Sequence, residues 1–109
     1  MLKKVTPKKA EQKIQLEIFR YLRTQGLLFW RFSPDTYIPA LGRYIKHEYV
    51  PNGLPDIMCL HERAFIGLEV KQKRGRPSAD QILMKKRFER LGHEYHIVRS
   101  VEDVKAVGL

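Results

Sequence analysis

Apolar residues near the start of the chain recur at three- and four-residue spacing. Ala10, Ile14, Ile18, Tyr21 and Leu22 fall on one stripe, widened by Leu16 and Phe19, while Lys8, Lys9, Lys13, Glu17, Arg20 and Arg23 take the other faces. Thr6 followed by Pro7 reads as an N-cap and a first helical residue, and Gly26 as a stop. The spacing predicts an amphipathic helix of about twenty residues between them, packed on a sheet.

The period then changes. Leu27-Leu28-Phe29-Trp30-Arg31-Phe32 is short and aromatic and closes on Ser33-Pro34-Asp35, which predicts a strand and a turn. From Ser33 to Pro55 the chain carries Pro34, Pro39, Pro51 and Pro55 with Gly42 and Gly53, so it reads as a long irregular stretch holding at most a short strand near His47 to Val50. A connection of this length in a compact domain is more often functional than idle. Asp56 to Leu60 and Ala64 to Lys71 read as two strands of an antiparallel hairpin, joined by His61-Glu62-Arg63. Arg74-Gly75-Arg76-Pro77 breaks the pattern, Ser78 with Gln81 has capping-box spacing for a second helix, and Gly92 ends it after Leu91. Tyr95 to Val98 is a last strand, and Ser100 with Asp103 opens a short final helix. The order is helix, three strands, helix, strand, helix, in an α/β arrangement with a mixed central sheet flanked by helices. A right-handed crossover is expected if the strand ending at Lys71 and the Tyr95 strand are parallel.

Charge narrows the partner. The 109 residues, read as a single domain 1–109, carry 21 Lys and Arg against 12 Asp and Glu, a formal net charge of +9. A surface this basic suits a polyanion, and nucleic acid is the expected partner. No apolar run reaches the roughly 18 residues of a membrane span, and Met1-Leu2-Lys3-Lys4-Val5 lacks the apolar core of a signal peptide. The single cysteine, Cys59, sits in an apolar run and reads as a buried small hydrophobe in a reduced, intracellular setting. His47, His61, His93 and His96 lack the companions and spacing of a zinc site.

The candidate chemistry lies in Gly53-Leu54-Pro55-Asp56 and Gly67-Leu68-Glu69-Val70-Lys71. Strand alternation points Glu69 and Lys71 the same way, with Ile66, Leu68 and Val70 on the opposite, packed face. Asp56 then lies across the hairpin from the end of the Glu69 strand. Two carboxylates suit Mg²⁺, which takes one or two of them plus waters and substrate phosphate, and a backbone carbonyl such as that of Val70 can complete the set. Lys71 is placed to orient or deprotonate a water beside a phosphodiester. Each residue also has a plainer reading: Asp56 as a turn residue after proline, Glu69 and Lys71 as the wet face of an edge strand.

Taken together these residues resemble the PD-(D/E)XK nuclease superfamily, and within it the VRR-NUC branch, over nearly the whole chain. The resemblance rests on Glu11 with Ile14-Gln15, Arg31, Gly53 to Asp56, Glu69-Val70-Lys71, and Ser78 with Gln81. It implies a restriction-endonuclease-like core of order αβββαβ. It further implies Asp56, Glu69 and Lys71 as catalytic, Glu11, Asp56, Glu69 and Val70 around Mg²⁺ or Mn²⁺, and no organic cofactor. Glu11 reads equally as an exposed helix acid, with Glu17 as its rival on that helix, and Gln81 reads as a cap or as a polar group at the edge of the active site.

Lys73, Arg74 and Arg76, on the loop after Lys71, are the first candidates for phosphate contacts. Arg43, Lys46 and His47 with Tyr37 and Tyr44 interleave charge with stacking surface in the long connection. Lys85, Lys86, Arg87 and Arg90 read as a solvated helix face. Nothing here resembles a base-reading element, so selectivity by shape is expected. Similarity to stand-alone phage or bacterial members implies cleavage of Holliday junctions or other branched DNA in a bacterial or phage-infected cytoplasm. Symmetric cutting implies a homodimer, for which Trp30, Tyr37 and Tyr44 are interface candidates or core residues. The rival reading is a non-cleaving nucleic-acid-binding module of the same fold, and a nuclease acting on RNA is a third.

Overall fold

A computed structural model describes residues 6–33 and 35–109. The segment Met1 to Val5, and Pro34 of the expected turn, lie outside the described residues. Helix α1 spans Pro7–Thr24, capped by the Thr6 hydroxyl, which accepts from the Lys9 N–H at 3.2 Å. Its stripe delivers Ile18 and Leu22 to the core, with Ile14, Phe19 and Tyr21 packed at the edge. Leu16 stays half exposed, beside the groove formed by Phe19, Phe29, Arg20, Arg23 and Arg31.

Strands β1 (Leu28–Arg31), β4 (Ile57–Leu60), β5 (Phe65–Val70) and β6 (Glu94–Val98) form a sheet in the order β1-β4-β5-β6. The first two pairings are antiparallel, and β5 with β6 is parallel across helix α2 (Ala79–Arg90). Helix α3 (Val101–Ala106) follows β6 and packs on α1. This is the expected αβββαβ order and mixed sheet, with a final short helix.

One expectation fails between β1 and β4. The stretch read as irregular folds into its own two-stranded sheet, β2 (Asp35–Ile38) with β3 (Arg43–Lys46), turned by a 3₁₀ segment Pro39–Leu41 and a left-handed Gly42. The short strand expected near His47 to Val50 is instead a turn, with the Val50 N–H donating to the His47 carbonyl at 3.2 Å. Pro39 starts the turn between the two strands, where its fixed φ is useful, so it does not forbid the hairpin. Asp35, expected to close a turn, opens β2.

The main sheet has two differently covered faces. Ile57, Cys59, Ile66, Leu68 and Val70 join Ile18, Leu22, Val98 and Val104 in one fully buried cluster under α1 and α3. Burying such side chains is worth roughly 1.5–3 kcal/mol each, and this face is the main source of cohesion. The opposite face carries Trp30, Met58, Gly67, Glu69 and Tyr95 by the alternation of their strands. Helix α2 covers only part of it. Gly67 permits the close packing there: an added methyl would overlap Pro55 Cγ and stand 3.3 Å from Phe88 Cε2. Trp30 packs edge-on against Phe65 with ring centroids 5.9 Å apart and stays partly exposed, whereas Tyr37 and Tyr44 lie on the separate hairpin, outside the core.

Candidate active site

Asp56 does not sit inside a strand; it is the residue immediately before β4. Since Ile57 opposes Leu68, Asp56 stands at the level of Glu69. One of its carboxylate oxygens, Oδ2, accepts from the Val70 N–H at 2.8 Å, which fixes the side chain across the hairpin. Its backbone carbonyl accepts from the Phe32 N–H at 2.8 Å, tying the turn to the end of β1.

Three neighbours explain the sequence leading to Asp56. Gly53 has φ +85°, and a methyl there would overlap the Asp80 carbonyl oxygen at the start of α2, so glycine is required twice over. Pro55 is buried against Gly67. The Gly53 carbonyl accepts from the Tyr95 hydroxyl at 2.9 Å. Tyr95 is fully buried, with its ring edge-on to Phe88 at 5.4 Å. Burial, reinforced by the nearby charges of Glu69 and Asp56, pushes its hydroxyl well above the usual phenol range, so it remains a donor.

Sequence reasoning missed Tyr95 as part of this site because an aromatic residue in a strand reads as core. Its hydroxyl acts through a partner 42 positions away in the chain. Tyr95→Phe keeps the ring and orphans the Gly53 carbonyl; urea denaturation should show a loss of about 1 kcal/mol. An unchanged midpoint would mean the bond carries no net stability.

Glu69 and Lys71 share the Asp56 face, as alternation predicts, and the plainer reading of a wet edge-strand face does not hold, since β5 lies between β4 and β6. Glu69, on this flanked strand, is only 4% exposed. Burial, and then the adjacent Asp56 carboxylate, push the Glu69 carboxyl up to about 8, against the opposing pull of Lys71. Near neutral pH Glu69 therefore keeps its proton in hydrogen-bonding contact with Asp56. Lys71 Nζ lies 3.4 Å from Glu69 Oε2, an ion pair that forms fully once that proton leaves.

A buried carboxyl paired with a half-buried one, with an ammonium beside them, is a donor set for a hard divalent cation. Among the described residues no third His, Cys, Asp or Glu joins them. That fits Mg²⁺ or Mn²⁺, which keep waters and take substrate oxygens, better than a metal held in an all-protein cage.

The remaining expected residues fall into distinct places. Glu11, expected near the metal, lies beside the loop that follows Lys71: a methyl at Gly75 would stand 3.4 Å from its Oε1. It projects from α1, which covers the other sheet face. Glu17 is exposed. Gln81 closes a capping box, its Oε1 accepting from the Ser78 N–H at 2.9 Å and its N–H donating to the Ser78 hydroxyl at 3.2 Å. The cap accounts for its side-chain oxygen. The Val70 N–H is taken by Asp56.

Lys73, Arg74 and Arg76 are exposed on the 72–76 loop directly beyond Lys71. Arg99, unremarked in the sequence, supports this loop from behind, donating to the Gly75 carbonyl at 2.9 Å and the Gln72 carbonyl at 3.3 Å. Arg43 and Lys46 are exposed on β3, away from that loop in the chain but next to the Gly53 turn through the Lys46–Asn52 hydrogen bond. On α2, Lys85 donates to the Tyr95 carbonyl at 2.7 Å, so it is more than a solvated charge. Lys86, Arg87 and Arg90 line a shallow groove with Pro51 and Asn52.

The helix-flanked mixed sheet, with an acid entering β4 and a Glu-x-Lys leaving β5, defines a PD-(D/E)XK-like fold. Solved structures similar to it include one described as a VRR_NUC domain, at 23% identity and TM-score 0.63 over 90% of this chain and 92% of that one. Another, described as a VRR_NUC domain protein, is 16% identical with TM-score 0.63 over 89% of this chain and 83% of its own. The chain thus has the fold of a VRR_NUC domain. No family model and no curated protein matches its sequence.

Proposed function

We propose that this protein is a metal-dependent endonuclease that hydrolyses phosphodiester bonds in branched DNA and works as a homodimer. The observation that carries the reading is the Asp56–Glu69 carboxyl pair at one sheet end, Glu69 buried and Asp56 half-buried, with the Lys71 ammonium 3.4 Å from Glu69. A pure DNA-binding module gains nothing from two acids set among its cations.

Asp56 and Glu69, with the Val70 carbonyl, would hold Mg²⁺ or Mn²⁺, whose chemistry there would be Lewis-acid polarisation of the phosphoryl group and acidification of a water. The Asp56 carboxylate is held by the Val70 N–H, so it is presented without rearrangement. Lys71 hydrogen-bonds the attacking water and the non-bridging phosphate oxygen, where negative charge grows during attack. Lys73, Arg74 and Arg76 hold the strand by its phosphates, on a loop that Arg99 keeps in place. No covalent enzyme intermediate is required. A homodimer supplies two such centres for two strands of a junction.

The test is a panel of four-way junction, flap, blunt duplex and single-stranded DNA, each with Mg²⁺, Mn²⁺ or EDTA, alongside light scattering of the free protein. The reading expects metal-dependent cutting, fastest on branched substrates, from a dimer. Cleavage in EDTA equal to that in Mg²⁺ would remove the metal, and indifference to branching would remove the substrate class.

A further inference from the structure

The β2–β3 hairpin is a feature that the acid pair does not use. It forms its own two-stranded sheet, and none of its residues is buried. Such a ribbon is marginal in water on its own, yet it displays its most costly surface outward. Tyr37 and Tyr44 are directly opposed across the strands, with ring centroids 5.1 Å apart, and are 50% and 67% exposed.

Directly opposed residues share a face, so Asp35, Tyr37, Tyr44 and Lys46 lie together, while Thr36, Ile38, Arg43 and Ile45 lie on the other side. The tyrosine face does not end at the hairpin. Lys46 reaches Asn52, and a cavity of about 170 Å³ lined by Asp35, Lys46, Pro51, Asn52, Gly53 and Leu54 joins the base of the ribbon to the turn that carries Asp56. The Thr36 hydroxyl and His47 Nε2, 2.8 Å apart, hold the two strand ends together on the reverse side.

We infer that this hairpin is an arm that binds unpaired nucleotides, with bases stacked on the Tyr37–Tyr44 pair and the backbone led past Lys46 toward Asp56. The inference deepens the nuclease reading and rests on it for the direction of the strand. Three observations select a single-stranded nucleic acid over a second copy of the chain. The rings are half and two-thirds exposed and tilted 55° to one another, which leaves π-faces open to bases. Lys46 on this face, with Arg43 next in the strand to Tyr44 on the other, suits phosphate, and cations so placed would repel their own copies in a symmetric contact. The face runs into the Asp56 turn, where a strand opened at a branch point has to arrive. Asp35 is the one acid on this face, and it lies across from Lys46.

The test is fluorescence anisotropy in EDTA, where nothing is cut, with a labelled oligothymidylate, the same strand carrying abasic sites, and a blunt duplex. Wild type should bind the oligothymidylate at least tenfold more tightly than the abasic strand. Tyr37→Ala with Tyr44→Ala should lose about tenfold per ring on the oligothymidylate, and Tyr37→Phe with Tyr44→Phe should keep wild-type affinity, which separates stacking from misfolding. Equal binding of abasic and base-bearing strands would overturn the arm. So would an alanine pair within twofold of wild type, or one that only turns a dimer into a monomer. Wild type that shows this binding but cuts no DNA with either metal would refute the nuclease reading and leave the arm standing.

Discussion

Glu69→Gln should abolish metal-dependent cleavage, by at least about a thousandfold, while leaving the metal-free fold at least as stable as wild type. The two expectations pull apart because Glu69 does two different things. In the metal-free protein it is a buried, protonated carboxyl beside Asp56, pushed up to about 8 chiefly by burial. A glutamine amide has the same shape, donates as the protonated acid does, and has no charge to bury. Above pH 8 the variant should melt higher than wild type, since wild type then carries two adjacent carboxylates with only Lys71 to offset them. For catalysis the same change removes an anionic oxygen that no neighbour replaces. Single-turnover cleavage and thermal melting on the same preparation check both. A variant that cuts at wild-type rate removes Glu69 from the site.

Metal-free stability should fall as pH rises between about 4.5 and 8, and divalent metal should restore it at the alkaline end. In the unfolded chain Glu69 ionises near its ordinary value of 4.5, whereas in the fold it holds its proton to about 8. Within that window the native state binds the additional proton, so this contribution is fully present below 4.5 and is lost as pH climbs through 8. The slope is at most ~1.4 kcal/mol per pH unit. Glu94 behaves oppositely and does not interfere. Its bonds to Arg63, then to His96, hold its carboxyl down to about 2, so its contribution is lost only as pH falls from 4.5 toward 2. Metal binding requires Glu69 to surrender its proton, so Mg²⁺ or Mn²⁺ should stabilise more at pH 8 than at pH 6 and release a proton on binding. Denaturation across this range in EDTA and in Mg²⁺ gives the curves. A flat metal-free profile, or equal metal stabilisation at both pH values, would contradict the shared-proton picture.

Elements whose burial is one-sided and local were legible from residue pattern. The stripe of α1 reaches the core through Ile18 and Leu22, and Ser78 caps α2 with Gln81 as the spacing requires. Strand alternation placed Asp56, Glu69 and Lys71 on one face because period two follows from backbone geometry alone. What covers that face was not legible. Glu69 is buried on a strand set between β4 and β6, and the turn before Asp56 is pressed against Asp80, arrangements between residues far apart in the chain. The hairpin was missed for the opposite reason. Neither of its faces is buried, so it leaves no alternation of apolar and polar positions to read, and the proline in its turn masks the strands on either side. Glu11 was placed by resemblance alone, and α1 brings it to Gly75 on the loop after Lys71. Arg99 and Tyr95 look like an ordinary surface cation and a core aromatic until their distant carbonyl partners are known.

The central claim is that Asp56, Glu69 and Lys71 form one metal-dependent hydrolytic centre. Its most direct test is single-turnover cleavage of a labelled four-way junction in Mg²⁺ by wild type, Asp56→Asn and Lys71→Ala, with wild type in EDTA beside them. Cutting should occur only for wild type in Mg²⁺, with all three proteins still folded by circular dichroism. Comparable cutting by either variant, or no cutting by wild type on any branched DNA with either metal, would contradict it.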